Sequence, residues 1–116
     1  MDESSRLSEV LVGLVNVPDI ECARLVAKEL VGSRLAACVN LLPAVESVYR
    51  WEGRVETASE VTLVIKTVRA AWPALERQVQ ALHPYAVPEI LALPVTAGLP
   101  AYINWVASES ISSTDA

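Results

Sequence analysis

Residues 36–68 read AACVNLLPAVESVYRWEGRVETASEVTLVIKTV, a long extended stretch that doubles back on itself. Apolar and β-branched side chains dominate Ala36–Trp51, and such residues suit a pleated, half-buried surface. Pro43 interrupts this run, so a kink or break is expected there, because proline is tolerated at an edge or bulge but not inside a ladder. Glu52-Gly53 supplies the turn. Arg54–Ser59 then leads into a strand over Glu60–Val68, where Val61, Leu63 and Ile65 point one way and Glu60, Thr62 and Lys66 the other. Val64 breaks the polar face, which implies that this side too is partly covered.

Working outward, Glu9–Val17 is a near-continuous apolar run of the kind that forms a strand covered on both faces. Pro18-Asp19 ends it, and the Asp19 carboxylate suits the N-cap of a helix over Asp19–Leu35. Ile20, Ala23, Ala27, Leu30 and Val31 mark the apolar face of that helix, and Gly32 helps to end or bend it. On the other side of the hairpin, Trp72–His83 reads as a second helix. Pro73 sits in its first turn, Leu75, Val79 and Leu82 form the stripe, and Pro84 stops it. Glu89–Thr96 is a fourth strand and Pro100–Ala107 a short terminal helix. The order is therefore β-α-β-β-α-β, an α+β domain of the ferredoxin-like split type, with both long helices on one sheet face. Residues 9–107 make the single domain, and 1–8 and 108–116 read as flexible tails.

A chain of 116 residues has little interior, yet 53% of this one is hydrophobic, against the usual ~45–50%. The uncovered sheet face is where that surplus belongs, so the chain is expected to self-associate. Nine basic residues against fourteen acidic ones give a net charge of −5, which opposes a phosphate-tracking surface and hence nucleic acid as a partner. The uncharged stretch 90–108 is broken by Pro94, Gly98 and Pro100, so no membrane span is expected. Met1–Arg6 lacks a basic-then-apolar signal region, and a cytoplasmic protein is expected. Cys22 and Cys38 read as free thiols; Cys38, between Ala37 and Val39, reads as core. His83 is the single histidine. With no Ser-His-acid set and no Gly-rich phosphate loop, an enzyme is not expected.

Several motifs fall in order: Arg34-Leu35-Ala36-Ala37-Cys38-Val39-Asn40, Tyr49-Arg50-Trp51-Glu52-Gly53, Ile65-Lys66-Thr67, His83-Pro84-Tyr85-Ala86-Val87-Pro88-Glu89 and Leu93-Pro94-Val95. Together they resemble the CutA divalent-cation tolerance family over about residues 9–107. The resemblance implies a cytoplasmic homotrimer of ferredoxin-like subunits, similar in shape to PII-type signalling proteins. It also implies a non-catalytic role in tolerance of copper and other divalent metals. Some members have a cysteine and a second histidine where this chain has Val15 and Leu82, so a copper site using them would retain only His83.

The candidate metal residues are His83 and Glu89, which symmetry in an oligomer could bring together with their copies. A histidine at a helix end can equally cap carbonyls, and Glu89 can simply solvate the start of a strand. No cofactor is required; Cu²⁺ or another divalent cation is the optional ligand. The alternative is a PII-like signalling module in which Lys66, Tyr49, Trp51 and Tyr85 line clefts between subunits and hold a small anionic ligand. Against it stand interface anchoring for the three rings and a salt bridge for Lys66.

Overall fold

Glu52 and Gly53 both adopt positive φ, 49° and 79°, the backbone that lets two antiparallel strands reverse in two residues. They join β2 (Cys38–Trp51) to β3 (Arg54–Val68) in a computed structural model that describes residues 9–111. The third strand begins at Arg54, six residues before the expected Glu60. The hairpin pairs all the way to Trp51↔Arg54 and carries a two-stranded arm beyond the sheet body. β1 (Val10–Val17) and β4 (Ile90–Pro94) complete an antiparallel sheet of order β2-β3-β1-β4. This is the ferredoxin-like arrangement expected from the element order.

The Pro43 break is a β-bulge. Between the pairs Leu42↔Thr62 and Val45↔Glu60, β2 holds one more residue than β3, and Ala44 takes a positive φ of 60°. A bulge adds a half-period to the pleat. Leu42 and Val45 consequently face the same side, and so do Ser47, Tyr49 and Trp51 beyond them.

α1 (Ile20–Gly32) starts at Asp19, whose Oδ1 accepts a 2.8 Å bond from the Cys22 amide. It ends three residues before the expected Leu35. Arg34, not Gly32, takes the left-handed conformation (φ 65°), and the Leu35 amide returns to Leu30 O at 2.9 Å. Its buried stripe is Ala23, Val26 and Leu30, whereas Val31, expected on that face, is exposed. After a 3-10 turn at Arg69–Ala71, α2 (Trp72–Leu82) buries Leu75 and Val79. Both helices cover the sheet face bearing Val15, Val17, Val61, Leu63 and Ile65, and there the main core lies. On that face Gly13 leaves room for an indole: a Cβ there would sit 2.9 Å from Trp72 Cζ3. Gly13→Ala is expected to cost about 1–3 kcal/mol by overpacking, read as a lower urea midpoint with an unchanged slope.

The other sheet face is not wholly open. α3 (Pro100–Glu109) closes one end of it, setting Val106 against Val10 and Val68 in a second small core. This helix was expected to stop at Ala107. It continues to Glu109 because Arg34 gathers its end, with Nη2 donating to Ser108 O at 2.7 Å and Arg34 O accepting from the Ile111 amide at 2.8 Å. Ser110 is buried and Ile111 packs on the main core, so the chain is held past 107. Residues 1–8 and 112–116, expected as tails, lie outside the described residues. The rest of this face presents half-buried Val12, Leu14 and Val64 beside exposed Leu42, Leu91 and Leu93. No helix of the described residues is long and apolar enough to cross a membrane.

Candidate functional site

Backbone groups of a strand alternate between its two neighbours. Val10 O faces β4, where it accepts from the Val95 amide, and six residues on Asn16 O faces the same side. By then β4 pairing has ended, the last partner pair being Val15↔Ile90. His83 takes the vacant place. Its Nε2 donates to Asn16 O at 2.6 Å, and its Nδ1 accepts from the Tyr85 amide at 3.1 Å. The acceptor role of Nδ1 fixes the neutral tautomer with the proton on Nε2. Burial is nearly complete, at 7% exposure.

This contact fixes the start of the 83–89 loop, which faces the hairpin arm across an open cleft of about 590 Å³. Tyr49 and Trp51 line it from the arm, Tyr85 and Glu89 from the loop, and Asn16 and Glu60 from the sheet. Glu89 Oε1 accepts from Asn16 Nδ2 at 3.2 Å, and Asn16 Oδ1 accepts from Thr62 Oγ1 at 2.7 Å. Glu60 is 8% exposed, and its Oε2 accepts a long 3.4 Å bond from the Tyr85 hydroxyl. Burial, then the neighbouring Glu60 carboxylate, pushes the Tyr85 hydroxyl pKa above the ordinary tyrosine value. Among the described residues no lysine or arginine lines this cleft.

Of the expected site residues, Tyr49, Trp51, Tyr85 and Glu89 meet here. Within one chain His83 and Lys66 do not join them. Both nitrogens of His83 are already bonded, so the ring has no free lone pair for a metal and acts instead as the pin that holds the loop. Lys66 is far away by register: Tyr49 pairs with Glu56, ten residues from Lys66 along β3, or about 33 Å at ~3.3 Å per residue. Its ammonium instead donates to Asn40 Oδ1 and lies 3.9 Å from Cys38 Sγ. An anion bound jointly by Lys66, Tyr49 and Tyr85 is therefore not assembled within one chain. Glu60 was missed as a site residue; it sits on the polar face of its strand with Thr62 and Lys66, and nothing in that pattern set it apart.

The remaining chemistry is spare. Among the described residues no group of three or more His, Cys, Asp or Glu side chains converges to hold a metal. Val15, the position at which some relatives were expected to carry a cysteine, is fully buried in the main core. Cys22 and Cys38 are unbridged, and burial, followed by Asp19, raises the Cys22 thiol pKa.

The model of the CutA1 divalent ion tolerance protein family matches residues 11–109, nearly all of the described chain. The chain belongs to the CutA1 family. A divalent-cation tolerance protein CutA of Thermus thermophilus is 50% identical over 95 residues, covering 82% of this chain and 92% of that one. The chloroplastic protein CutA of Arabidopsis thaliana is 44% identical over 106 residues, 91% of this chain, which spans only 58% of the plant protein's length. Among solved structures, a divalent cation tolerance protein (Cut A1) from Thermus thermophilus superposes with a TM-score of 0.86 at 48% identity, covering 87% of this chain and 98% of that one. The family carries the name of a tolerance protein rather than of an enzyme.

Proposed function

We propose that the chain acts without turnover, as a cytoplasmic homotrimer, in tolerance of divalent cations, copper among them, and that it binds the metal weakly. The observation that carries the metal reading is the cleft itself, with the carboxylates of Glu60 and Glu89 and no lining lysine or arginine. Oxygen donors of this kind attract divalent ions, and two of them without a converging third ligand make a loose site. Assembly is supported by the sheet face left with Leu42, Leu91 and Leu93 exposed. The bare arm supports it too, since two-stranded ribbons are marginal in water unless something packs on them. The two unbridged cysteines accord with a reducing compartment.

Calorimetric titration of the purified apo-protein with Cu²⁺ is expected to give shallow, saturable binding that Glu89→Gln weakens several-fold. Heats no larger than those of buffer, or an affinity untouched in that variant, would remove the metal reading.

A further inference from the structure

We propose that the cleft between the hairpin arm and the 83–89 loop is a binding site for a small organic cation, an alkylammonium group. This rests on the reading of the cleft as cation-binding and names the ligand that fills it best. Glu60 is the first ground. The residue is 8% exposed, and the one hydrogen bond its carboxylate makes is the long bond from the Tyr85 hydroxyl. Among the described residues the sole ion pair is Arg69–Glu9, so Glu60 has no counter-ion of its own. A carboxylate partly withdrawn from water with no cation beside it carries a cost, and a positive ligand offsets it.

The rings are the second ground, and they are independent of the first. Tyr49 and Trp51 approach from one wall and Tyr85 from the other, each half-exposed towards the same space. Aromatic faces attract cations, tryptophan most strongly, and cages of such rings suit alkylated ammonium groups. A small metal dication gains little from rings, because it keeps its water and requires oxygen or nitrogen donors at fixed distances. An alkylammonium sheds its weakly held water readily, places its methyl or methylene groups on the rings and turns its charge to Glu60 and Glu89. The volume, about 590 Å³, lies in the range of small-molecule sites.

The test uses the assembled full-length protein, titrated with tetramethylammonium chloride at constant ionic strength and followed by calorimetry and tryptophan fluorescence. Saturable binding is expected, weakened about tenfold by Glu60→Gln and by Trp51→Leu and unchanged by Lys28→Gln on the exposed side of α1. Glu60→Gln keeps the shape of a buried side chain and Trp51→Leu alters an exposed one, so at least one variant stays folded. Heats matching those of sodium chloride would overturn the proposal, as they would if a neighbouring subunit filled the cleft. Binding unchanged in both variants would overturn it equally. A parallel Cu²⁺ titration separates the two readings. Copper binding without tetramethylammonium binding defeats the organic-cation site alone, and the reverse supports it while defeating the metal reading.

Discussion

Replacing His83 by alanine is expected to lower the unfolding free energy by about 2–4 kcal/mol, because it strands two part-buried backbone groups, each at the lower to middle part of the ~1–3 kcal/mol that an unsatisfied buried group costs. These are Asn16 O at the end of β1 and the Tyr85 amide in the loop. Urea denaturation of the metal-free protein gives the size of the effect. Hydrogen exchange gives its place: protection should fall at Tyr85 and remain at core positions such as Val15 and Leu63. A histidine kept only to hold a metal would behave in the opposite way, leaving the apo-protein's stability nearly intact while metal affinity fell. An unchanged urea midpoint would therefore show that the ring does not pin the loop.

The joint change Leu91→Asp with Leu93→Asp should dissociate the proposed trimer. In the single chain these side chains are 54% and 52% exposed, so charging them costs the isolated fold little. On a sheet face packed against its copies, the same change removes two apolar side chains from every subunit, each worth roughly 1.5–3 kcal/mol when fully buried. It also forces carboxylates into contact with carboxylates. Light scattering at micromolar concentration is expected to fall from about three times 12.5 kDa to the mass of one chain, with far-UV circular dichroism largely retained. A mass that stays at the single-chain value before any substitution would dispose of the trimer. A trimer that survives both aspartates would place its interface elsewhere.

Much of the fold was legible because its signals are local. The Asp19 cap, the Pro73 first turn, the Glu52-Gly53 reversal and the Val61/Leu63/Ile65 alternation each act within a few residues, and each appears where the sequence put it. The C-terminal end was harder to read. Arg34 and Ile111 lie 77 positions apart, and no periodicity announces that one will hold the other and carry α3 past Ala107.

The site was legible in its residue types but not in its grouping. Tyr49, Trp51, Tyr85 and Glu89 were identified, yet Lys66 shares a sheet face with Tyr49 and still lies far from it along the strand. His83 looked like a ligand because its partner, the Asn16 carbonyl, is a backbone group 67 positions away and leaves no mark in the sequence. Glu60 escaped because its partner, the Tyr85 hydroxyl, lies in the loop across the cleft, 25 positions further along the chain.

The extra residue at Pro43-Ala44 sets which chemistry the far end of β2 displays, and to whom. Deleting Ala44 would leave the composition almost untouched, but it would rotate everything downstream by half a pleat. Tyr49 and Trp51 would turn towards the helix side, with Val48 and Arg50 brought round in their stead. In this strand the tally of residues is itself information, and a relative one position shorter there could keep every aromatic and still present a different face to its ligands.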